Sequence, residues 1–478
     1  MSNPALDNKR ITVVYTVTAL LVFLVLALLG WVMRLTQSGM VQLPSDAFYS
    51  VMTLHGLGMA GVMYTGAYAA LWYLLSGYVQ PSLKLMKINF VLILLGVVGL
   101  IGATLIGGFG AGWYVLYPLP FIEQWPRWSS LLAIVSLVLL GVAWLLGQLD
   151  LLRVLAQRYG LGGMLAWPTL FGKKSEAVPP LVLVAAINLL AGALTTVVGA
   201  VMLVLYLFQW MEPTVSLDAL LMKNMVFLFG HTLVNITLYF GIAAIYELFP
   251  KYSGRPWVTN RVVALSWNVT FVLVMLVFFH HLYMDFANNI ALHYIGQVGS
   301  YLSAIPATVV TVFGVLAQIN RSGIRWSFVP LTFTLGVMGW IIGGFAAIVD
   351  TTIAINLTFH NTQWVPAHFH TYFLLGFAVM LFGIFYHLLE PEAEKLAKTS
   401  LAAILVGGYG FVTMFYLGGV NSVPRRFSGY EAVQTGTIAQ TGHDLAVYAV
   451  GFAAILLVGV LLYYAAVFRR IGAAWNRA

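Results

Sequence analysis

Polar and apolar positions along this chain alternate on a scale much longer than a helical turn. Runs of twenty or more apolar, nearly uncharged residues are separated by short polar connections. A helix of about 20 residues crosses a hydrocarbon core of about 30 Å, so each run predicts a transmembrane helix. Twelve runs stand at 11–33, 47–78, 86–112, 129–149, 179–211, 219–249, 261–286, 289–318, 327–350, 365–389, 400–420 and 444–468. No tandem repeat, low-complexity tract or soluble domain interrupts them, and the longest charged connection, about 150–178, is expected to be a loop. The expected fold is an all-α, polytopic, twelve-helix membrane bundle forming a single domain over 1–478.

Composition agrees with a bilayer setting: 61% of residues are apolar, 8% are charged, and mean hydropathy is +0.92. Basic residues then orient the bundle, because Lys and Arg accumulate on the cytoplasmic side. The N-terminus, the even-numbered connections and the C-terminus hold Lys9, Arg10, Lys84, Lys87, Arg153, Arg158, Lys173, Lys174, Lys251, Arg255, Arg261, Arg321, Arg325, Lys395, Lys398, Arg469, Arg470 and Arg477, 18 of the 23. Only Arg34, Arg127, Lys223, Arg425 and Arg426 fall on the other side. Both termini are therefore expected in the cytoplasm, in a bacterial inner membrane. The net charge of +8 reads as topology and argues against nucleic-acid binding. The first run is long and lacks a small-residue cleavage site, so it is expected to be retained rather than removed as a signal peptide. With no cysteine, the chain has no disulfide, thiolate-bound copper or covalently attached c-type haem of its own.

Ten histidines occur, and six lie within apolar runs, where an imidazole is costly unless partnered. They are His55 in TLHGLGMAG, His231 in FGHTLVN, His280 and His281 in FFHHLYMDF, and His368 and His370 in VPAHFHTYF. A single membrane histidine is more often a structural hydrogen-bonder than a ligand. Here all six fall at a similar depth in the outer part of the membrane, which independent structural roles do not explain. On an α-helix, residues two apart point about 200° from each other, so His368 and His370 serve opposite faces, with Phe369 between them. His280 and His281 diverge by about 100° and can converge on one metal if a third ligand, His231, arrives from a neighbouring helix. Three neutral imidazoles suit copper, or iron if a carboxylate joins them. His55 can pair with one of the run-ten histidines as a six-coordinate haem.

This arrangement resembles subunit I of the haem-copper oxidases, a superfamily that includes nitric oxide reductases. The resemblance rests on the six histidines, the 49 residues separating His231 from the His280–His281 pair, the HxH motif and the helix count. It implies that His231, His280 and His281 bind copper B, that His368 binds a high-spin haem and that His55 and His370 bind a low-spin haem, with haem b expected ahead of haem a. It further implies a separate electron-donating subunit, cupredoxin-like or a cytochrome c, and a soluble donor such as cytochrome c. Arg425 and Arg426 in VPRRF suit bidentate pairing with haem propionates. The stretch HNTQWVPAHFH is similar to B-type oxidases, in which its first histidine, His360 here, lies near a propionate.

Against that pattern, Asn235 stands where A- and B-type oxidases carry a tyrosine, and Val274 stands at the C-type tyrosine position. Nitric oxide reductases of the familiar kind place a glutamate where Asn235 is, and that too is missing. Dioxygen cleavage draws an electron and a proton from the phenol, whereas coupling two nitric oxide molecules needs only two electrons and two protons. The expected activity is therefore nitric oxide reduction, like that of copper-containing reductases related to B-type oxidases, with Asn235 either binding substrate or orienting a ligand. The alternatives are a terminal oxidase, with Tyr283 or Tyr239 doing the phenol's work, and a haem-free proton-coupled transporter. Tyr239, Tyr246 and Glu247 descend the sixth run from Asn235 and suggest a proton path from the cytoplasm. Tyr246 and Glu247 also fit an interfacial belt residue and a partner for Lys251, and Asp285 fits either an outer proton group or an ordinary helix-end carboxylate.

Overall fold

The computed structural model describes residues 4–174, 176–430, 436–469 and 471–476. Arg470 and Arg477 of the basic distribution lie outside them. The principal helices are α1 (Pro4–Gln37), α2 (Ser45–Leu75), α3 (Leu83–Ile101), α4 (Arg127–Tyr159), α5 (Pro180–Met211), α6 (Ala219–Ser253), α7 (Arg261–Leu276), α8 (Ile290–Ser303), α9 (Pro306–Ile319), α10 (Phe328–Asp350), α11 (Trp364–His370), α12 (Val379–Leu389), α13 (Glu394–Val420) and α14 (Thr437–Phe468). Polar side chains start several of them by accepting hydrogen bonds from first-turn amides. Ser82 caps α3, Asp218 caps α6, Asn260 caps α7 and Asn289 caps α8. Gly160 and Gly254, both at positive φ, terminate α4 and α6.

Among the described residues, eleven helical stretches are long and apolar enough to cross a membrane, where twelve were expected. The difference falls on the run 47–78. It does form a helix, α2, of 31 residues, long enough to span, but one less apolar than the others. Its buried positions include Ser50, Thr53 and Thr65, and it carries His55 and several glycines, so it is built for contact with other helices rather than with lipid. The 150–178 connection is also more ordered than expected, because α4 runs on to Tyr159 and two one-turn helices follow it.

Three departures from the α-helix matter for function. Beyond α7 the chain tightens into a 3₁₀ helix over Val277–Leu282, which carries His280 and His281. Between α11 and α12 it widens into a π-helix over Thr371–Ala378, immediately after His370. The eighth run, 289–318, breaks into α8 and α9 at Ala304 and Ile305. The first two departures carry or adjoin histidines of the candidate site, where such irregularities are frequent. The stretch Trp364–Leu389 is the most enclosed of the spans, with 83% of its apolar window buried. Large apolar side chains such as Ile106, Phe286 and Phe313 face outward, the reverse of a water-soluble surface.

Candidate haem and copper centre

Three of the six histidines converge. The candidate ligand atoms of His231, His280 and His281 all lie within 4.8 Å of one another, and His231 Nδ1 is 3.3 Å from His281 Nε2. Two imidazole nitrogens bound to one ion at about 2.0 Å stand about 3.3–3.5 Å apart, so the rings already approach ligand spacing. The 3₁₀ helix separates adjacent side chains by about 120° rather than the expected 100°, yet the pair still converges, with ring centroids 4.3 Å apart. Second contacts fix the rings. His280 Nδ1–H donates to Ser300 Oγ (2.9 Å), whose own hydroxyl is committed to the Gly296 carbonyl, which leaves His280 Nε2 for the metal. Gly296 permits this approach, because a Cβ there would meet the His280 backbone nitrogen at 2.8 Å.

The other three histidines share a different device. His55 Nδ1 lies 2.8 Å from the Leu26 carbonyl, His368 Nδ1 3.0 Å from that of Gly343, and His370 Nδ1 2.7 Å from that of Pro366. A carbonyl can only accept, so each neutral ring donates from Nδ1 and keeps Nε2 as a lone-pair donor, the state an axial haem ligand needs. The expected opposition within HxH holds in the contacts made. His368 turns to α10, whereas His370 stacks on Phe415 of α13 (5.5 Å, 20°). Phe369 stands at 87° to the His370 ring.

All six imidazoles line one cavity of about 1040 Å³, together with Asn235, Tyr239, His360, Arg425 and Arg426. Drug-sized ligands occupy pockets of roughly 300–1,000 Å³, so a cavity at the top of that range with two sets of imidazoles fits large prosthetic groups. Its outer rim is basic. A bridge between Thr362 and Pro424 ties the His360 segment to the arginine loop, and Arg425 bonds Asn361 Oδ1 (3.1 Å). Arg426 adopts φ +70 and places its guanidinium 4.1 Å over the Tyr114 ring. Among the described residues, neither arginine has a carboxylate within ion-pair distance. Burial first, and then Arg426, push Arg425 down to about 9, and burial with nearby Arg425, Lys223 and Arg426 pushes His360 down to about 4. A rim of this kind favours an anion, and haem propionates meet that requirement.

Other expected residues fall differently. Tyr239 lines the cavity between Trp267 and Trp340, but Tyr246 bonds Thr311 Oγ1 (2.7 Å) and Glu247 accepts from Tyr78 (2.8 Å). The hydrogen bonds of the suggested proton path thus lead in different directions rather than along one file. Asp285 pairs with Lys223 at 2.7 Å. Tyr283 donates to the Thr351 carbonyl (3.0 Å). Two cavity residues escaped the sequence reading. Arg34 lies 4.0 Å over the Phe415 ring that stacks on His370; its place against the charge rule was the available signal. Tyr372 donates to Asn235 Oδ1 (3.0 Å); its signal was its position four residues beyond His368, on the same helix face.

The family description Cytochrome C and Quinol oxidase polypeptide I matches residues 10–468. The chain belongs to this family. Its members bind haem and copper, which speaks for a haem-binding membrane subunit and against the haem-free transporter. Relatives include the heme-copper oxidase subunit I+III of Aeropyrum pernix, 26% identical over 89% of this chain and 53% of the relative. Cytochrome c oxidase subunit 1 of Thermus thermophilus is 27% identical over 47% of this chain and 44% of the relative, and that of Eremothecium gossypii 27% over 69% and 61%. The chain thus spans about half the length of these relatives. An electron cryo-microscopy structure of a heme-copper terminal oxidase dimer shares the fold at a TM-score of 0.81, with 19% identity, over 98% of this chain and 84% of that one.

Proposed function

We propose that this haem-copper oxidase subunit reduces nitric oxide, converting two molecules with two electrons and two protons to nitrous oxide and water. His231, His280 and His281 hold copper, His368 holds a high-spin haem, and His55 and His370 hold a low-spin haem, with haem b expected. His360, Arg425 and Arg426 pair with propionates. When bound, the metals supply electrons and polarise the substrate. The surrounding residues orient the ligands and keep the centre within an apolar bundle. Residues 1–478 form one catalytic domain, with α2 as the twelfth span, both ends of that domain on the cytoplasmic side of a bacterial inner membrane, and electrons delivered by a separate subunit and a soluble donor.

One observation carries the choice of substrate. Asn235 Nδ2 lies 3.3 Å from His231 Nε2, so an amide occupies the place beside the metal-facing ring where the resemblance implies a phenol or a carboxylate. An amide offers hydrogen bonds but neither an oxidisable ring nor a negative charge. Dioxygen reduction is the second reading, favoured by the names of the Thermus and Eremothecium relatives and by the Tyr372 phenol bonded to Asn235. Stopped-flow turnover with each gas, using one preparation and one reductant, decides between them. Faster nitric oxide consumption with stoichiometric nitrous oxide is expected, and rapid dioxygen reduction with negligible nitrous oxide overturns the proposal.

A further inference from the structure

We propose that Tyr372 is a positioning residue of the metal centre: its hydroxyl holds the Asn235 amide beside the His231 ring, and the two together set what a substrate meets there. Three contacts form an unbroken line. Tyr372 O–H donates to Asn235 Oδ1 (3.0 Å), Asn235 Nδ2 lies 3.3 Å from His231 Nε2, and His231 Nδ1 lies 3.3 Å from His281 Nε2. The amide can turn about its Cβ–Cγ bond, and a half-turn exchanges its oxygen and nitrogen. Its Nδ2 donates to the His231 carbonyl (2.8 Å), which fixes one end from within α6. Tyr372 fixes the other end from a different span, 137 residues away in sequence.

The backbone around Tyr372 makes room for this contact. Tyr372 is the second residue of the π-helix, just beyond His370 and four residues beyond His368. It stays on the face that looks into the cavity, with its ring centroid 6.1 Å from that of His368. Opposite it, α10 presents Gly343, where a Cβ would come within 2.7 Å of Tyr372 Cα. The same glycine's carbonyl accepts from His368. A single close approach therefore sets both a haem-ligand candidate and the tyrosine that reaches across to Asn235.

The proposal rests on the assignment of His231 to the metal, not on which gas is reduced. Partners that orient a metal ligand through hydrogen bonds change metal affinity or activity by about 10- to 100-fold when removed. In the full-length holoenzyme, Tyr372→Phe is expected to keep haem and copper contents at wild-type levels and lower turnover at least about tenfold. It is also expected to shift or broaden the infrared stretch of carbon monoxide, used as the probe at the reduced centre. Asn235→Ala is expected to do the same, and adding Tyr372→Phe to it to change neither readout further, because the tyrosine acts through the amide. Additive effects in the double variant, an unchanged carbon monoxide band in Tyr372→Phe, or loss of haem or copper from that variant would each overturn the proposal. If the wild-type protein reduces only dioxygen, the nitric oxide reading fails, while the coupling of the two variants in the carbon monoxide band remains as the separate test of Tyr372.

Discussion

Each histidine here is defined by what its second nitrogen does. His55, His368 and His370 spend Nδ1 on main-chain carbonyls, which keeps Nε2 available and fixes the ring plane. His280 does the same through Ser300, and His231 faces its neighbour His281 through Nδ1. The roles are therefore separable by single substitutions read in the absorption spectrum. His55→Ala or His370→Ala should remove the low-spin haem signal while the high-spin haem is largely retained, because either change breaks the same pair. His368→Ala should do the reverse. Loss of the high-spin signal from His370→Ala, with the low-spin signal intact, would reassign the two faces of this helix.

Elements deliver these side chains by departing from ideal geometry. The His280–His281 segment is a 3₁₀ helix held against α8, where Gly296 lets the backbones approach and Ser300 orients the ring. Metal analysis should find about one copper per chain and no stoichiometric non-haem iron, since three imidazoles without a carboxylate suit copper. Ser300→Ala should preserve the fold but weaken copper retention about tenfold, measured by the chelator concentration that strips half the metal. Unchanged retention would mean that convergence of the three rings suffices without this hydrogen bond. The π-helix after His370 was not legible in the sequence, because a widened turn depends on what packs against it, here Gly339 and Gly343 of α10.

At the scale of the whole molecule, the outward apolar surface and the basic bias predict how the bundle sits in its membrane. A chain without cysteine is ready for labelling. In inside-out vesicles, a single cysteine at Thr399 should react with a membrane-impermeant maleimide and one at Glu123 should not, with the opposite result in right-side-out cells. Matching accessibility at both sites would contradict the assigned orientation. The sequence by itself determined the membrane class, most of the spans and the six histidines, because the cost of burying charge or imidazole in lipid is written residue by residue. It overstated the apolar character of α2, whose polar positions are tolerated because they face other helices. Only the tertiary structure decided which histidine nitrogen faces the cavity, that Tyr246 and Glu247 turn to separate partners, and that Tyr372 meets Asn235. Those facts depend on the distance and direction between side chains on different helices, and no periodicity within one helix encodes them.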